Sequence, residues 1–482
     1  MSRRRELLFC AAAAAALVLV RSIVPTVYEG FYFDSDQAIV GLMAKRASAF
    51  QEFPLFYSGL NYILAVEAWI ITPFFWLARP SVAVMRLPLI VLNVLVAVWL
   101  VVAISRRLGL RPVMAFITAL PFIIPTPATS NTLLEAAGAC VEPFVYVLLL
   151  WHIRRHALAF GALLAIGSLH REFVMFAVPA LFLAERAYRS CWSGVALKHA
   201  ATVGLGVGLV SILIDDLKMH LTGGPLALQA ASLRGQMCFD AAWGSRLRSL
   251  LTEAFPALLG GVPTRLQQIR MNTPLVTGYA AVGWLVRAAL IAMVLRMLVA
   301  HPRQRNAGPD SSFGAYLMWV GALTACVYPL SCNAILGHPP ILRYLTLGIL
   351  LPVGLCALFL RGEPSPSLRA AIAAAFVAWA AVNLFDQVRL IRSTLANPPP
   401  NEHRVLADYL ITHRIRYARA TYWDAYVVDF LSRGRVIVAS SDLIRIQEYQ
   451  RQVDEHAAEE VLLERLPCEG GERVASWCIK RR

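Results

Sequence analysis

The chain has 482 residues, of which 58% are hydrophobic and only 16% charged, with a formal net charge of +15. A soluble protein carries about 25% charged residues, and the apolar runs here approach or exceed the ~18 residues of a membrane helix, so a soluble enzyme is excluded in favour of a polytopic membrane protein. The positive charge would suit nucleic acid, but nearly all of it is Arg set between apolar runs, which membrane topology explains; no nucleic-acid partner is expected.

The N-terminus, MSRRRELLFCAAAAAALVLV, has a basic start and an apolar stretch that runs on to Val27 with no small-x-small cleavage site before polar sequence. It reads as an uncleaved first membrane helix. Arg3, Arg4 and Arg5 predict a cytoplasmic N-terminus, so the helix exits outside, ahead of Asp34 and Asp36. The next span, 84–105, ends at Arg106 and Arg107, which makes 28–83 one external loop. Within it, 37–52 alternates polar or small residues with Ile39, Leu42, Met43, Ala49 and Phe50, the pattern of an interfacial helix. Segment 61–78 is apolar but interrupted by Glu67 and Pro73, and reads as juxtamembrane or re-entrant.

Further spans are predicted at 112–126 and 141–153, separated by an external loop at 127–140. Basic clusters flank 157–185 on both sides, at Arg154–Arg155 and Arg186–Arg189. Two short helices in a hairpin satisfy both clusters and put His170, Arg171 and Glu172 at the outer tip. A span at 198–214, a second external loop at 215–274, and spans at 275–298, 313–332, 343–360 and 369–388 complete about eleven membrane helices. The domains are then 1–390 in the membrane, a Pro-rich linker at 391–400, and a small external α/β domain at 401–482. In that domain EHRVLADYLITHR and IQEYQRQVDEHAAEEVL read as helices and RVIVAS as a strand.

Several polar groups sit where apolar sequence makes them conspicuous. Asp34-Ser35-Asp36 is either a solvated helix exit or a pair of acids at the water–lipid boundary. Glu135 and Glu142 lie on the next external stretch; Glu142-Pro143 suits a helix start, or supplies a second acid facing Asp36. His170-Arg171-Glu172 interrupts an apolar run, and ionisable groups at such positions pair with one another or line a cavity. His338 and Arg343-Tyr344 flank the start of a span, where Arg either snorkels or meets a phosphate. Gly204, Gly206 and Gly208 lie inside a span and are read as helix packing. The nine Cys form no C-x-x-C pair, which argues against a zinc or thioredoxin-like site. Cys468 and Cys478 flank Gly470-Gly471 in the external domain and are expected to form a disulfide.

A first helix, an acidic motif opening a long external loop, and Arg86-Leu87-Pro88 starting the next span together resemble the GT-C glycosyltransferases. The stretches FDSDQAIVGLMAKR, FPLFYSGLNYILAVEA, SVAVMRLP and RYLTLGILLP are similar to those of the protein O-mannosyltransferase and aminoarabinose transferase group, and the likeness covers about residues 1–390. The tail YARATYWDAYVVDFLSRGRVIVASSD is similar to external tails of some bacterial members.

The resemblance implies an inverting transfer of a sugar from a polyprenyl-phosphate donor to a lipid, glycan or protein acceptor at the outer face of a bacterial inner membrane. The family's first-loop motif is Asp-Glu; Asp36-Gln37 aligns with it, with Gln in place of Glu. Asp36 is then the catalytic base, Asp34 an auxiliary acid and Glu142 its partner across the cavity. Lys45, Tyr57, His170, Arg171, Glu172, His338, Arg343 and Tyr344 are the expected substrate contacts, with the cations taking the donor phosphate. No cofactor is required; a divalent ion on Asp34-Ser35-Asp36 is possible but needs further oxygen ligands. A flippase of lipid-linked sugars, or a glycan-binding protein on the same scaffold, are the alternatives.

Overall fold

A computed structural model describes residues 2–60, 62–137, 140–185, 193–222, 237–260, 279–300, 312–332, 334, 336, 341–468 and 470–481. The helices, in chain order, are α1 (Arg3–Val27), α2 (Ser35–Ser48), α3 (Val66–Leu77), α4 (Val82–Leu108), α5 (Pro112–Ile123), α6 (Pro127–Thr132), α7 (Glu142–Ile153), α8 (Ala157–His170), α9 (Ala177–Ala184) and α10 (Gly194–Thr222). They continue as α11 (Trp243–Ser249), α12 (Phe255–Leu259), α13 (Tyr279–Ala300), α14 (Ser312–Val327), α15 (Leu350–Gly362), α16 (Pro366–Ala396), α17 (Glu402–Thr412), α18 (Tyr422–Leu431) and α19 (Gln447–Glu455). Among the described residues five helices are long and apolar enough to cross a membrane: Arg3–Val27, Val82–Leu108, Gly194–His220, Ser312–Leu330 and Pro366–Ala396. The chain is a multi-pass membrane protein.

Contacts divide the chain into two compact units. The first comprises Met1–Ser22, Ile90–Leu133 and Cys140–Arg392. Its helices approach closely where glycine removes the side chain: a Cβ on Gly161 would run into the Val203 carbonyl, and one on Gly206 into that of Leu158. Of the four glycines in α10, only Gly206 makes this approach; Gly194, Gly204 and Gly208 have open space beside them. A buried polar link runs from Arg21, which donates to Asn93 Oδ1 at 2.7 Å, to the Leu133 carbonyl, which accepts from Asn93 Nδ2 at 2.8 Å. The expected hairpin is present: α8 stops at His170, Arg171 is extended (φ −153°), and a 3₁₀ turn over Glu172–Phe176 leads into α9. A disulfide joins Cys238 and Cys332, a pairing not anticipated from sequence.

The second unit comprises Ile23–Leu89, Leu134–Ala139 and Ser393–Arg482. The first loop thus packs with the C-terminal segment. That segment carries β1 (Tyr417–Ala420), β2 (Ile437–Ser440), β3 (Val461–Arg465), β4 (Glu472–Val474) and β5 (Trp477–Arg481) in one sheet of order β2-β1-β3-β5-β4. β1 pairs in parallel with β2 and β3, whereas β5 is antiparallel to β3 and β4. The helix expected to run through residue 462 ends at Glu455. Val461 and Leu463 instead alternate inward on β3, a period of two that sheet packing selects. Cys468 and Cys478 form the expected disulfide.

Helix α2 starts and ends near the expected bounds. Its small-residue face is covered by protein: a Cβ on Gly41 would fall 2.5 Å from the Phe430 ring of α18. Ion pairs and hydrogen bonds fasten the loop to the C-terminal segment. Arg404 grips both oxygens of Glu29 at 2.7 and 2.8 Å, Arg46 pairs with Glu448, and Arg445 Nη1 donates to the Gly59 carbonyl at 3.0 Å.

Candidate functional site

The described residues among those expected at the site fall into two groups, one in each unit. In the second unit Asp34 is the N-cap of α2: its backbone is extended (φ −128°) and its carboxylate accepts the Gln37 amide N–H at 3.1 Å, satisfying a donor that the helix leaves open. Asp36 follows in the first turn, where the helix dipole favours an anion. Its Oδ1 accepts the Tyr422 hydroxyl at 2.5 Å, and its backbone carbonyl accepts the Tyr57 hydroxyl at 2.9 Å.

Gln37, next to Asp36, is fully buried and holds the loop together. Its Nε2 donates to the Tyr32 carbonyl at 2.7 Å and to Asp34 Oδ1 at 3.3 Å. Its Oε1 accepts from Arg86 at 3.3 Å. Arg86 also donates to the carbonyls of Pro25, Phe31 and Tyr32. The charges of Glu135 and Asp34 both act on the buried Arg86 guanidinium. Glu135 therefore belongs to the same unit as Asp34 and Asp36, whereas Glu142 belongs to the first.

Two of the expected substrate contacts are engaged inside the second unit. Lys45 Nζ donates to the Arg433 carbonyl at 2.7 Å. Its ammonium is lowered in pKa, chiefly by burial and against the opposing pull of Asp429. Tyr57 is buried, and burial, reinforced by the charge of Asp36, pushes its hydroxyl well up, so it stays a donor.

In the first unit Glu142 opens α7 with Pro143 beside it, and its Oε2 accepts the Val141 N–H at 3.2 Å. His170 is buried, and its Nδ1 lies 3.2 Å from the Tyr146 hydroxyl. Arg171 is 6% exposed; its guanidinium lies over the rings of Phe173 and Tyr344 at 5.7 and 5.5 Å. Arg343 covers the Tyr344 ring at 5.6 Å, so the structure brings Arg171, Arg343 and Tyr344 together. Among the described residues Arg171 Nε and Nη2 and His170 Nε2 are buried with no hydrogen-bond partner. Glu172 begins the 3₁₀ turn and is half-buried. His338 lies outside the described residues.

Sequence reasoning did not single out Tyr422 or Arg445. Arg445 lies 5.9 Å over the Tyr422 ring. The only available signal was the aromatic and basic content of the tail. Among the described residues no group of three or more His, Cys, Asp or Glu side chains could hold a metal ion. Asp34 Oδ1 is turned to the α2 cap and Asp36 Oδ1 to the Tyr422 hydroxyl.

No family model matches the chain, and no curated protein is significantly similar to it in sequence. Solved structures do share its architecture. The apo oligosaccharyltransferase of Archaeoglobus fulgidus is 9% identical, with 95% of this chain and 69% of that chain covered and a TM-score of 0.50. ArnT from Cupriavidus metallidurans bound to undecaprenyl phosphate is 10% identical over 98% of this chain and 97% of that chain, with a TM-score of 0.48. At these identities the likeness is one of fold alone, shared with the Archaeoglobus fulgidus oligosaccharyltransferase.

Proposed function

We propose that the chain is an inverting glycosyltransferase that moves a sugar from a polyprenyl-phosphate donor to a lipid, glycan or protein acceptor on the outer face of the membrane. The observation that carries this reading is the buried, unpartnered nitrogens of Arg171 and His170. A buried cation without a partner is costly, and an anionic ligand offsets that cost. A planar guanidinium suits phosphate. The likeness of fold to a glycosyltransferase supports the class of reaction.

In this reading Asp36 takes the proton of the acceptor hydroxyl as its oxygen attacks the anomeric carbon. The bond from that carbon to the phosphate oxygen breaks, and its electron pair leaves with the polyprenyl phosphate. Arg171, Arg343 and His170 bind the departing phosphate, a charge that grows in the transition state. Asp34 is auxiliary, and Glu142 or Glu135 orients acceptor or sugar. The N-terminus is cytoplasmic and the C-terminal segment external; the disulfides Cys238–Cys332 and Cys468–Cys478 support an oxidising compartment for both loops that carry them.

The test is mass spectrometry of envelope glycolipids, glycans and glycoproteins from cells with and without the gene. One sugar modification should vanish on deletion, with its polyprenyl-phosphate donor accumulating. An unchanged glycan profile, or loss of an entire glycan together with its donor on the outer face, would replace the transferase with a binding protein or a flippase.

A further inference from the structure

We infer that Tyr422, on the C-terminal segment, is a positioning residue for the Asp36 carboxylate, so that this segment is a working part of the transfer site. The inference rests on the proposed reading of Asp36 as base.

Tyr422 is held at three points. Its N–H donates to Asp442 Oδ1 at 2.7 Å, its carbonyl accepts the Ser35 hydroxyl at 2.5 Å, and its own hydroxyl donates to Asp36 Oδ1 at 2.5 Å. Its ring is 3% exposed and meets those of Trp423 and Tyr426 edge-on. Burial first, and then the charge of Asp36, pushes the phenol above its ordinary range, so the hydroxyl keeps its proton and stays a donor. From the other side, Tyr57 fixes the Asp36 backbone carbonyl. One donor thus sets the main chain of Asp36 and the other its carboxylate. Ser35 and Asp36 each bond the same tyrosine, which ties the first turn of α2 to the first turn of α18.

A bland alternative is that the Tyr422–Asp36 bond merely docks the C-terminal segment. Docking has other means, however: Arg404 with Glu29, Arg46 with Glu448, Lys45 with the Arg433 carbonyl, and Arg445 with the Gly59 carbonyl. Among these residues the Tyr422 hydroxyl is the one that reaches the Asp36 carboxylate. A general base must be held within hydrogen-bond reach of its proton, and misplacement by about 1 Å costs up to about 100-fold.

Membranes from a gene-deletion strain hold the native donor and acceptor. Purified full-length protein is added to them, and the rate of forming the missing glycoconjugate is followed by mass spectrometry as the amount of membrane is raised. Tyr422→Phe keeps the ring and removes the hydroxyl. It is expected to lower kcat about 10-fold or more, leave KM within about twofold, and leave limited proteolysis of the C-terminal segment unchanged. Wild-type kcat in Tyr422→Phe beside an inactive Asp36→Asn overturns the inference alone, and faster clipping of the variant overturns it in favour of docking. An active Asp36→Asn, or no product from the wild-type protein, brings down the base or transferase reading itself.

Discussion

Asp36 and Arg171 both stand at helix ends beside apolar sequence, yet their surroundings differ. Asp36 takes the Tyr422 hydroxyl, and Asp34 next to it is occupied by the α2 amide. Deeper in the same unit Asp424 accepts from His403 at 2.8 Å and from Arg465 at 2.6 and 3.1 Å. Arg171, by contrast, is buried against aromatic rings with two nitrogens that nothing in the described residues accepts. Buried charge is normally paired and hydrogen-bonded. The acidic cluster obeys that rule within the protein. In the proposed reading an anionic ligand supplies the partner that Arg171 lacks, with the first cluster as preorganised machinery and the second as the binding site.

Removing the charge from the preorganised side is expected to have the largest effect. Asp36→Asn keeps the side chain's shape and an acceptor for Tyr422 but removes the proposed base. Turnover should fall about 100-fold or more, with little change in thermal unfolding or in donor binding. Retention of most activity would put the reacting proton on another group, and the acidic cluster would be architecture only.

Asp424 is the control for an acid whose work is structural. Burial alone would raise its pKa, but the bonds from His403 and Arg465 outweigh burial and bring it down to about 2 from the ordinary 3.8. A carboxyl with a depressed folded-state pKa contributes stability above its ordinary value and loses it as pH falls toward the folded value. Asp424→Asn should therefore destabilise the C-terminal segment by about 2 kcal/mol at neutral pH, and the gap to wild type should close between about pH 4 and pH 2. Hydrogen exchange of the C-terminal amides in the full chain reads it. A gap that stays constant through that window would mean packing, not charge, is lost.

The cationic side predicts the opposite sign in the ligand-free protein. Arg171→Leu removes an unpaired buried charge, so the protein without ligand should unfold at the same temperature or higher. Added undecaprenyl phosphate should raise the unfolding temperature of wild type, and the variant should bind it about 10-fold more weakly, a difference of about 1.4 kcal/mol. A variant that is less stable but binds equally well would make Arg171 a packing residue held by its cation–π contacts.

Local signals account for what is legible in the amino-acid sequence. An acid directly after an apolar run marked the start of α2, Glu142-Pro143 marked that of α7, and three polar residues in an apolar run marked the α8–α9 turn. Amphipathic spacing gave α17 and α19, and β-branched content gave β2. None of these signals reaches across the chain. The Tyr422–Asp36 bond joins residues 386 positions apart, and nothing in either neighbourhood announces it. For the same reason Lys45 is expected as a substrate contact from sequence, whereas in the fold it bonds the Arg433 carbonyl and feels the charge of Asp429. The grouping of Glu135 with Asp34 and Asp36 also depends on folding, because Glu135 and Glu142 are equally plausible by spacing.

Asp34 gives the smallest and most discriminating test, since its carboxylate could serve chemistry or only the helix. As N-cap it accepts the Gln37 N–H, and Asn caps a helix about as well as Asp. Asp34→Asn should therefore leave stability unchanged and reduce turnover far less than Asp36→Asn. Asp34→Ala loses the cap and should cost about 1 kcal/mol, seen as a lower unfolding temperature with α2 frayed in hydrogen exchange. The two substitutions separate cap from charge: a stability loss confined to Ala assigns Asp34 to the helix start. A collapse of turnover in Asn at wild-type stability would instead move the base from Asp36 to Asp34 and leave Tyr422 holding the wrong acid.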